Sequence, residues 1–254
     1  MSQELFKRNE CKNCGHIIHQ NEKYCAICGQ TAVMHRLTFG YLAHEVTHYL
    51  IHVDRNIFLL IRRLTTQPGF VVKEYIAGKR KRYFPPVTFF LFMAGLLVVV
   101  FSLTHVFRIA FESWNHEVDN NLFQQFLTSR LNWIYFLLTL LYPLLYRLFY
   151  FRKPYNYVEH VVASFFWQGY LLLFFIVFLV PLIRLSDTLN GMYTAFWIYI
   201  VVQCLYYAWG YYQLFEKKTI GGFGLNLLIS LLVNGLVFLV CLLGIRLYYV
   251  ATRH

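Results

Sequence analysis

Most of the chain after residue 84 consists of long apolar segments. Five of them have the roughly 20 residues that an α-helix needs to cross the hydrocarbon core of a bilayer. They run approximately over residues 86–107, 131–151, 161–183, 192–214 and 224–250. Because backbone polar groups must be hydrogen-bonded internally within lipid, such segments cross as helices. The sequence therefore predicts an all-α integral membrane protein with about five transmembrane helices.

Lys and Arg are distributed unequally between the two sides of the membrane that five spans would define. Thirteen lie between residues 55 and 82 or in the two later loops on the same side, and five lie on the opposite side. By the positive-inside rule, this difference places the N-terminus in the cytoplasm. We therefore expect a multi-pass protein of the bacterial cytoplasmic (inner) membrane.

Four of the six cysteines form two closely spaced pairs near the N-terminus. The pattern is C-x2-C-x10-C-x2-C, made by Cys11, Cys14, Cys25 and Cys28, and a glycine follows each pair. Four thiolates in this arrangement match the tetrahedral coordination of Zn²⁺, and a glycine suits the tight turn. No secretory signal peptide is visible, and clustered thiols in a reducing compartment favour a metal over disulfides. We predict a structural zinc ribbon at residues 1–36, with two redox-active pairs as the alternative.

Residues 38–64 have apolar side chains at intervals of three or four, as on one face of an α-helix. His44, His48 and His52 lie on the opposite face. This pattern predicts an amphipathic helix that lies in the membrane interface or packs on the membrane domain. Together with the cations that follow, this helix forms the predicted second part of the chain, residues 37–83, and residues 84–254 form the membrane domain.

Residues 44–48 of this helix read HEVTH, which fits the H-E-x-x-H signature of zinc metalloproteases. His44 and His48 would then be ligands and Glu45 the general base. The extended form of the motif is missing, and the plausible downstream ligand, Glu74, follows a break in the helix. A solvated polar face is therefore the favoured interpretation. A protease, and a second, non-catalytic metal site at His44, His48 and His52, remain the alternatives.

Four consecutive cations precede the first apolar segment: Lys79, Arg80, Lys81 and Arg82. Cations just cytoplasmic of a span attract anionic lipid headgroups and also fix the orientation of the helix. We predict that these residues bind anionic headgroups, with a purely topogenic role as the alternative.

The last apolar segment carries a polar face of small residues. Gly222, Asn226, Ser230 and Asn234 recur every four residues. Such a stripe is typical of helix–helix packing in membranes, with hydrogen bonds across the contact. The alternative is a polar cavity, in which Glu159, Asn226 and Asn234 would line the path of a transporter or channel.

The order of motifs resembles a bacterial membrane family, domain-of-unknown-function 3667. The resemblance covers residues 11 to about 95. It is carried by the cysteine pairs, the H-E-x-x-H-x3-H-x-D-R helix, Thr66-Gln67-Pro68-Gly69, Tyr75 to Arg80 and Pro85-Pro86, with Tyr157-Val158-Glu159-His160 as a later match. The five-span layout is also similar, at the level of architecture alone, to Yip1-type membrane proteins. The resemblance implies a membrane architecture but no particular activity.

The favoured function is non-enzymatic, with no catalytic residues assigned. The chain is interpreted as a membrane-anchored adaptor or assembly factor whose zinc ribbon binds a cytoplasmic protein. Most of the net charge of +11 lies outside the ribbon, which makes nucleic acid a weaker candidate partner. A metalloprotease using HEVTH and a transporter or channel are the two alternatives.

Overall fold

The computed structural model describes residues 10–19, 22–33, 36–42, 56–104, 137, 139–186, 189–216 and 219–252. Within these ranges the chain is helical, apart from turns and two isolated β-bridges near the cysteine pairs. The helices are α1 (Asn56–Thr66), α2 (Pro68–Ile76), α3 (Pro86–Thr104), α4 (139–149), α5 (Tyr157–Ser186), α6 (Leu189–Leu214) and α7 (Ile220–Thr252). A π-helical turn at Phe175–Leu179 interrupts α5.

Three of the described helices are long and apolar enough to cross a membrane. They are α3, α5 and the part of α7 from Ile220 to Gly244. The chain therefore has the helical architecture of a membrane protein, as predicted. Of the other two predicted spans, 131–151 lies partly outside the described residues, and α6 is rich in Tyr and Trp, which lowers its mean hydropathy. The count of five spans stays a prediction.

Side chains of α5 and α6 form hydrogen bonds with the backbone at the break between α1 and α2. A helix end leaves backbone groups without intrahelical partners. Here Tyr206 donates a hydrogen bond to the Leu64 carbonyl at 2.9 Å, and Trp167 Nε1 donates to the Pro68 carbonyl at 3.2 Å. The Gly69 amide donates to Gln213 Oε1 at 3.0 Å. These hydrogen bonds hold the break between α1 and α2 in place against α5 and α6.

The described end of the predicted amphipathic helix packs on this bundle. Leu60 and Leu64 of α1 are fully buried in the main hydrophobic core, which also contains residues of α5 and α6. For residues 56–64 the apolar face therefore packs on the membrane domain, one of the two placements that the sequence predicts. Residues 43–55 lie outside the described residues.

Two glycines bring α2, α5 and α6 into close contact. A Cβ atom on Gly69 would lie 2.5 Å from both Gln213 Cβ and the Leu214 amide nitrogen, and closer still to the Gly210 carbonyl oxygen. A Cβ atom on Gly210 would lie 2.6 Å from the ring of Trp167. Small residues at such crossings allow the backbones to approach, and at these two positions no larger residue fits without a shift.

A ladder of tyrosine hydroxyls joins α4 to the polar stripe of α7. Three pairs form its rungs: Tyr142 with Asn234 Oδ1 at 2.9 Å, Tyr146 with Ser230 Oγ at 3.0 Å, and Tyr150 with Asn226 Oδ1 at 2.9 Å. The tyrosine numbers rise while the partner numbers fall, so the two helices run antiparallel. All six side chains are buried. The packing interpretation of this stripe is therefore confirmed.

Candidate metal centre and its attachment to the helices

The four cysteines of the two N-terminal pairs converge on one point. Their sulfur atoms all lie within 4.8 Å of one another. Cys11 Sγ is 3.6 Å from Cys28 Sγ, and Cys14 Sγ is 3.5 Å from Cys25 Sγ. Zn–S bonds of about 2.3 Å in a tetrahedron put the sulfurs about 3.8 Å apart. The cluster therefore fits one tetrahedral metal ion.

Each cysteine pair forms the same tight turn. In the first, the Gly15 amide donates to the Cys11 carbonyl at 2.8 Å, and in the second the Gly29 amide donates to the Cys25 carbonyl at 2.8 Å. Both glycines have positive φ angles, 78° and 67°, in the region that residues with a Cβ atom rarely adopt. The sequence C-x2-C-G thus builds each turn locally.

The backbone of the second turn favours the thiolate form of Cys25. The pKa of Cys25 is lowered to about 7, chiefly by hydrogen bonding to the backbone of Cys28 and also of Ile27, against the effect of burial. Burial instead raises the pKa of Cys11. Thiolates are the form that binds metal. Four sulfur ligands fill a tetrahedral coordination shell, so the cluster is suited to a structural ion with no open position for a substrate.

The side chains of Gln30 and Arg36 attach the cysteine segment to the rest of the protein. The buried Gln30 accepts hydrogen bonds at its Oε1 from the amides of Arg80 and Lys81, at 3.2 and 3.3 Å. Arg36 forms a two-pronged pair with Glu159, at 3.0 and 3.1 Å, and also donates to the Pro154 carbonyl at 2.8 Å. These two side chains therefore tie the chain that follows the second cysteine pair to the loop after α2 and to the start of α5.

Glu159 serves two roles at the start of α5. Its backbone amide donates to the side chain of Asn156 at 2.8 Å, and its carboxylate accepts from the Asn156 amide at 2.7 Å. This reciprocal arrangement is a capping box that satisfies backbone donors at the helix start. Arg36 also binds this carboxylate. Glu159, which the transporter alternative places along a path, is therefore held by other groups of the protein.

The four predicted lipid-binding cations lie in a loop that folds against the protein. Lys79 and Arg82 lie 2.8 and 3.4 Å from Glu74, which also accepts a hydrogen bond from the Tyr83 hydroxyl. The Arg80 guanidinium lies 4.2 Å from the centre of the Tyr41 ring, and its side chain is buried, whereas Lys81 is exposed. Lipid binding by these residues stays a prediction.

Glu74 is held in its charged form by these neighbours. Burial acts to raise its pKa, but hydrogen bonds from Lys79 and Tyr83, with the charges of Arg82 and Lys79, bring the pKa below its ordinary value. The Glu74 carboxylate therefore already has its partners in the loop that follows α2. The HEVTH motif itself, and with it His44, Glu45, His48 and His52, lies outside the described residues, so the second metal site stays a prediction.

Sequence reasoning missed several residues that organise this region. Gln30 and Arg36 make contacts across 50 and 123 positions of the chain, and no local pattern marks such pairs. The cap of α5 did have a signal, because Asn156 stands three positions before Glu159 at the start of an apolar run.

Part of the chain matches a known protein family. Residues 54–98 match the model of a family described as "Protein of unknown function (DUF3667)". The matched range contains α1, α2, the loop with the four cations and most of α3. No curated protein and no solved structure matches the chain. The family resemblance predicted from the sequence is therefore confirmed over residues 54–98, where the chain is similar to the DUF3667 proteins.

Proposed function

We propose that this protein is a non-enzymatic membrane adaptor or assembly factor whose zinc-loaded N-terminal ribbon binds a cytoplasmic protein. The main support is the exposure of large apolar side chains on the cysteine segment. Ile17, Tyr24 and Ile27 are 57%, 60% and 70% exposed. These three side chains lie within eleven residues of the chain around the cysteine turns, and they offer apolar area that a partner protein could cover. The closed four-sulfur cluster favours a binding role over catalysis.

The attachment point of the ribbon supports its place on the cytoplasmic side. Arg36 holds Glu159 in the first turn of α5. Glu159 lies two positions before the third predicted span, residues 161–183. The ribbon is thus attached at the end of α5 that we assign to the cytoplasm, where a cytoplasmic protein can reach it.

The same proposal includes five spans, a cytoplasmic N-terminus and a place in the bacterial inner membrane. It assigns α6 and residues 131–151 as spans beside α3, α5 and α7. Antiparallel packing of α4 and α7 supports this arrangement, because five alternating spans put the second and the fifth in opposite directions. The excess of Lys and Arg on one side supports the orientation.

The first test is the metal content of the detergent-purified protein. We expect one zinc ion per chain, lost in a variant with all four cysteines changed to serine and retained in His44→Ala/His48→Ala. Mass spectrometry under native conditions gives the number of ions per chain, and elemental analysis identifies the metal. Two ions in the parent, one of them lost with the histidines, would instead establish the second metal site. The absence of any bound metal would refute the ribbon.

The second test measures partner binding by the full chain. Tagged protein is expressed at its natural level, extracted in mild detergent and compared by quantitative mass spectrometry with the variant Tyr24→Ser/Ile27→Ser. We expect at least one cytoplasmic protein to co-purify with the parent and to be absent from the variant. We also expect the purified parent and this protein to form a complex when they are mixed. Ile220→Ser removes an even more exposed isoleucine outside the ribbon, 94% against 70% for Ile27, and serves as control. The same co-purified set with all three chains would contradict the adaptor role.

A further inference from the structure

One side chain joins the candidate metal centre to the loop that follows α2. Gln30 lies two positions after Cys28, and its carbonyl accepts a hydrogen bond from the Cys25 amide at 2.8 Å. Its side chain accepts from the backbone amides of Arg80 and Lys81. Gln30 is only 3% exposed. Its backbone therefore belongs to the second cysteine turn, while its side chain holds the loop.

This loop, residues 77–83, carries the four cations and is closed against the protein. Glu74 is paired with Lys79 and Arg82, and the guanidinium of Arg80 is stacked over Tyr41. A lipid phosphate would have to replace these contacts to bind the same side chains. In the closed position most of the positive charge of the loop is therefore already engaged by the protein.

The position of Gln30 depends on the metal. The described part of the cysteine segment buries only Cys11, Ile18 and Cys25 as a hydrophobic cluster of its own. A segment of this size has too little apolar core to hold its fold, so the binding of the ion supplies the folding free energy. When the ion leaves, the second turn is no longer fixed, and the two hydrogen bonds of the Gln30 side chain lose their anchor.

We propose that the metal centre is a clasp for the basic loop: with the ion bound, the loop is closed, and loss of the ion frees Lys79 to Arg82 to bind anionic lipid headgroups. The inference rests on metal binding by the four cysteines and is independent of the protein partner proposed above. It makes the exposure of a membrane-binding surface depend on the metal supply of the cytoplasm.

Limited digestion with trypsin, which cleaves after Lys and Arg, measures the opening of the loop. The full chain is placed in phosphatidylcholine nanodiscs, and the initial rate of cleavage at residues 79–82 is followed by mass spectrometry. We expect metal removal by a chelator to raise this rate about tenfold or more, since two hydrogen bonds are lost. Gln30→Met and Gln30→Ala should raise it similarly while retaining the ion. Gln67→Ala is the matched control, because Gln67 is exposed and its side chain accepts from Arg63.

The lipid part is tested in nanodiscs that contain phosphatidylglycerol. There the freed loop is covered by headgroups, so metal removal should raise cleavage by a clearly smaller factor than in phosphatidylcholine. An equal rise in the two lipids would overturn lipid binding by the freed loop. Cleavage at the parent rate after metal removal, or in both metal-loaded Gln30 variants, would overturn the clasp itself. None of these rates depends on the presence of a partner protein.

Discussion

Replacing Gly69 by alanine should force α2 away from α6. The added Cβ would lie 2.5 Å from two atoms of α6, whereas ordinary contact begins at 3.4 Å, so the helices must separate by about 1 Å. Overpacking of this kind costs about 1–3 kcal/mol. The shift also strains the hydrogen bonds from Gly69 to Gln213 and from Trp167 to Pro68, each worth about 1 kcal/mol. We expect the free energy of unfolding to fall by roughly 3–5 kcal/mol.

Unfolding of the detergent-solubilised protein by added denaturing detergent, followed by tryptophan fluorescence, measures this change. Gly95→Ala in α3 is the matched control, because nothing lies within 4 Å of its added Cβ. In a helix interior this control should be neutral or stabilising by up to about 1 kcal/mol. If Gly69→Ala unfolds within about 0.5 kcal/mol of the parent, the close contact between α2 and α6 does not exist as described.

Two further predictions concern the ladder and the acidic group of the basic loop. Tyr146→Phe should lower the free energy of unfolding by about 1 kcal/mol, because it removes the hydrogen bond to Ser230. Ser230→Ala removes the same hydrogen bond, so the double variant should lose less free energy of unfolding than the sum of the losses in the two single variants. Glu74 has a lowered pKa, so its stabilisation is full above its ordinary value of 4.5 and is lost as the pH falls through the lower folded pKa. The difference in thermal midpoint between the parent and Glu74→Gln should therefore shrink with acidification; a constant difference would contradict this account.

The cysteine cluster could be predicted from sequence because it is local. Each C-x2-C-G turn is built from five consecutive residues, and the two turns need only approach each other to place four sulfurs around one ion. The long apolar helices were predictable for the same reason, since length and composition decide them. Helix α6 shows the limit, because its Tyr and Trp residues lower its mean hydropathy, although three of the tyrosines, Tyr206, Tyr207 and Tyr211, are buried in the bundle.

Contacts between distant segments account for what the sequence did not reveal. The stripe of Asn226, Ser230 and Asn234 was recognised as a packing face, but its partners were not identified. Their signal was present, since Tyr142, Tyr146 and Tyr150 repeat at the same interval of four. Two matching four-residue repeats can be paired by inspection, whereas the fit of Gly69 against α6 depends on backbone positions that no sequence pattern encodes.

The equal spacing of the tyrosine ladder has a mechanical consequence. Four residues of an α-helix advance about 6 Å, so sliding α4 along α7 by one repeat brings each tyrosine to the next acceptor. Two of the three rungs would form again after such a step, because Asn and Ser oxygens accept the same hydroxyl. A half step forms none and leaves buried polar groups unpaired. The ladder therefore resists any displacement of α4 along α7 that is not a whole four-residue repeat, because every intermediate register leaves the buried hydroxyls without acceptors.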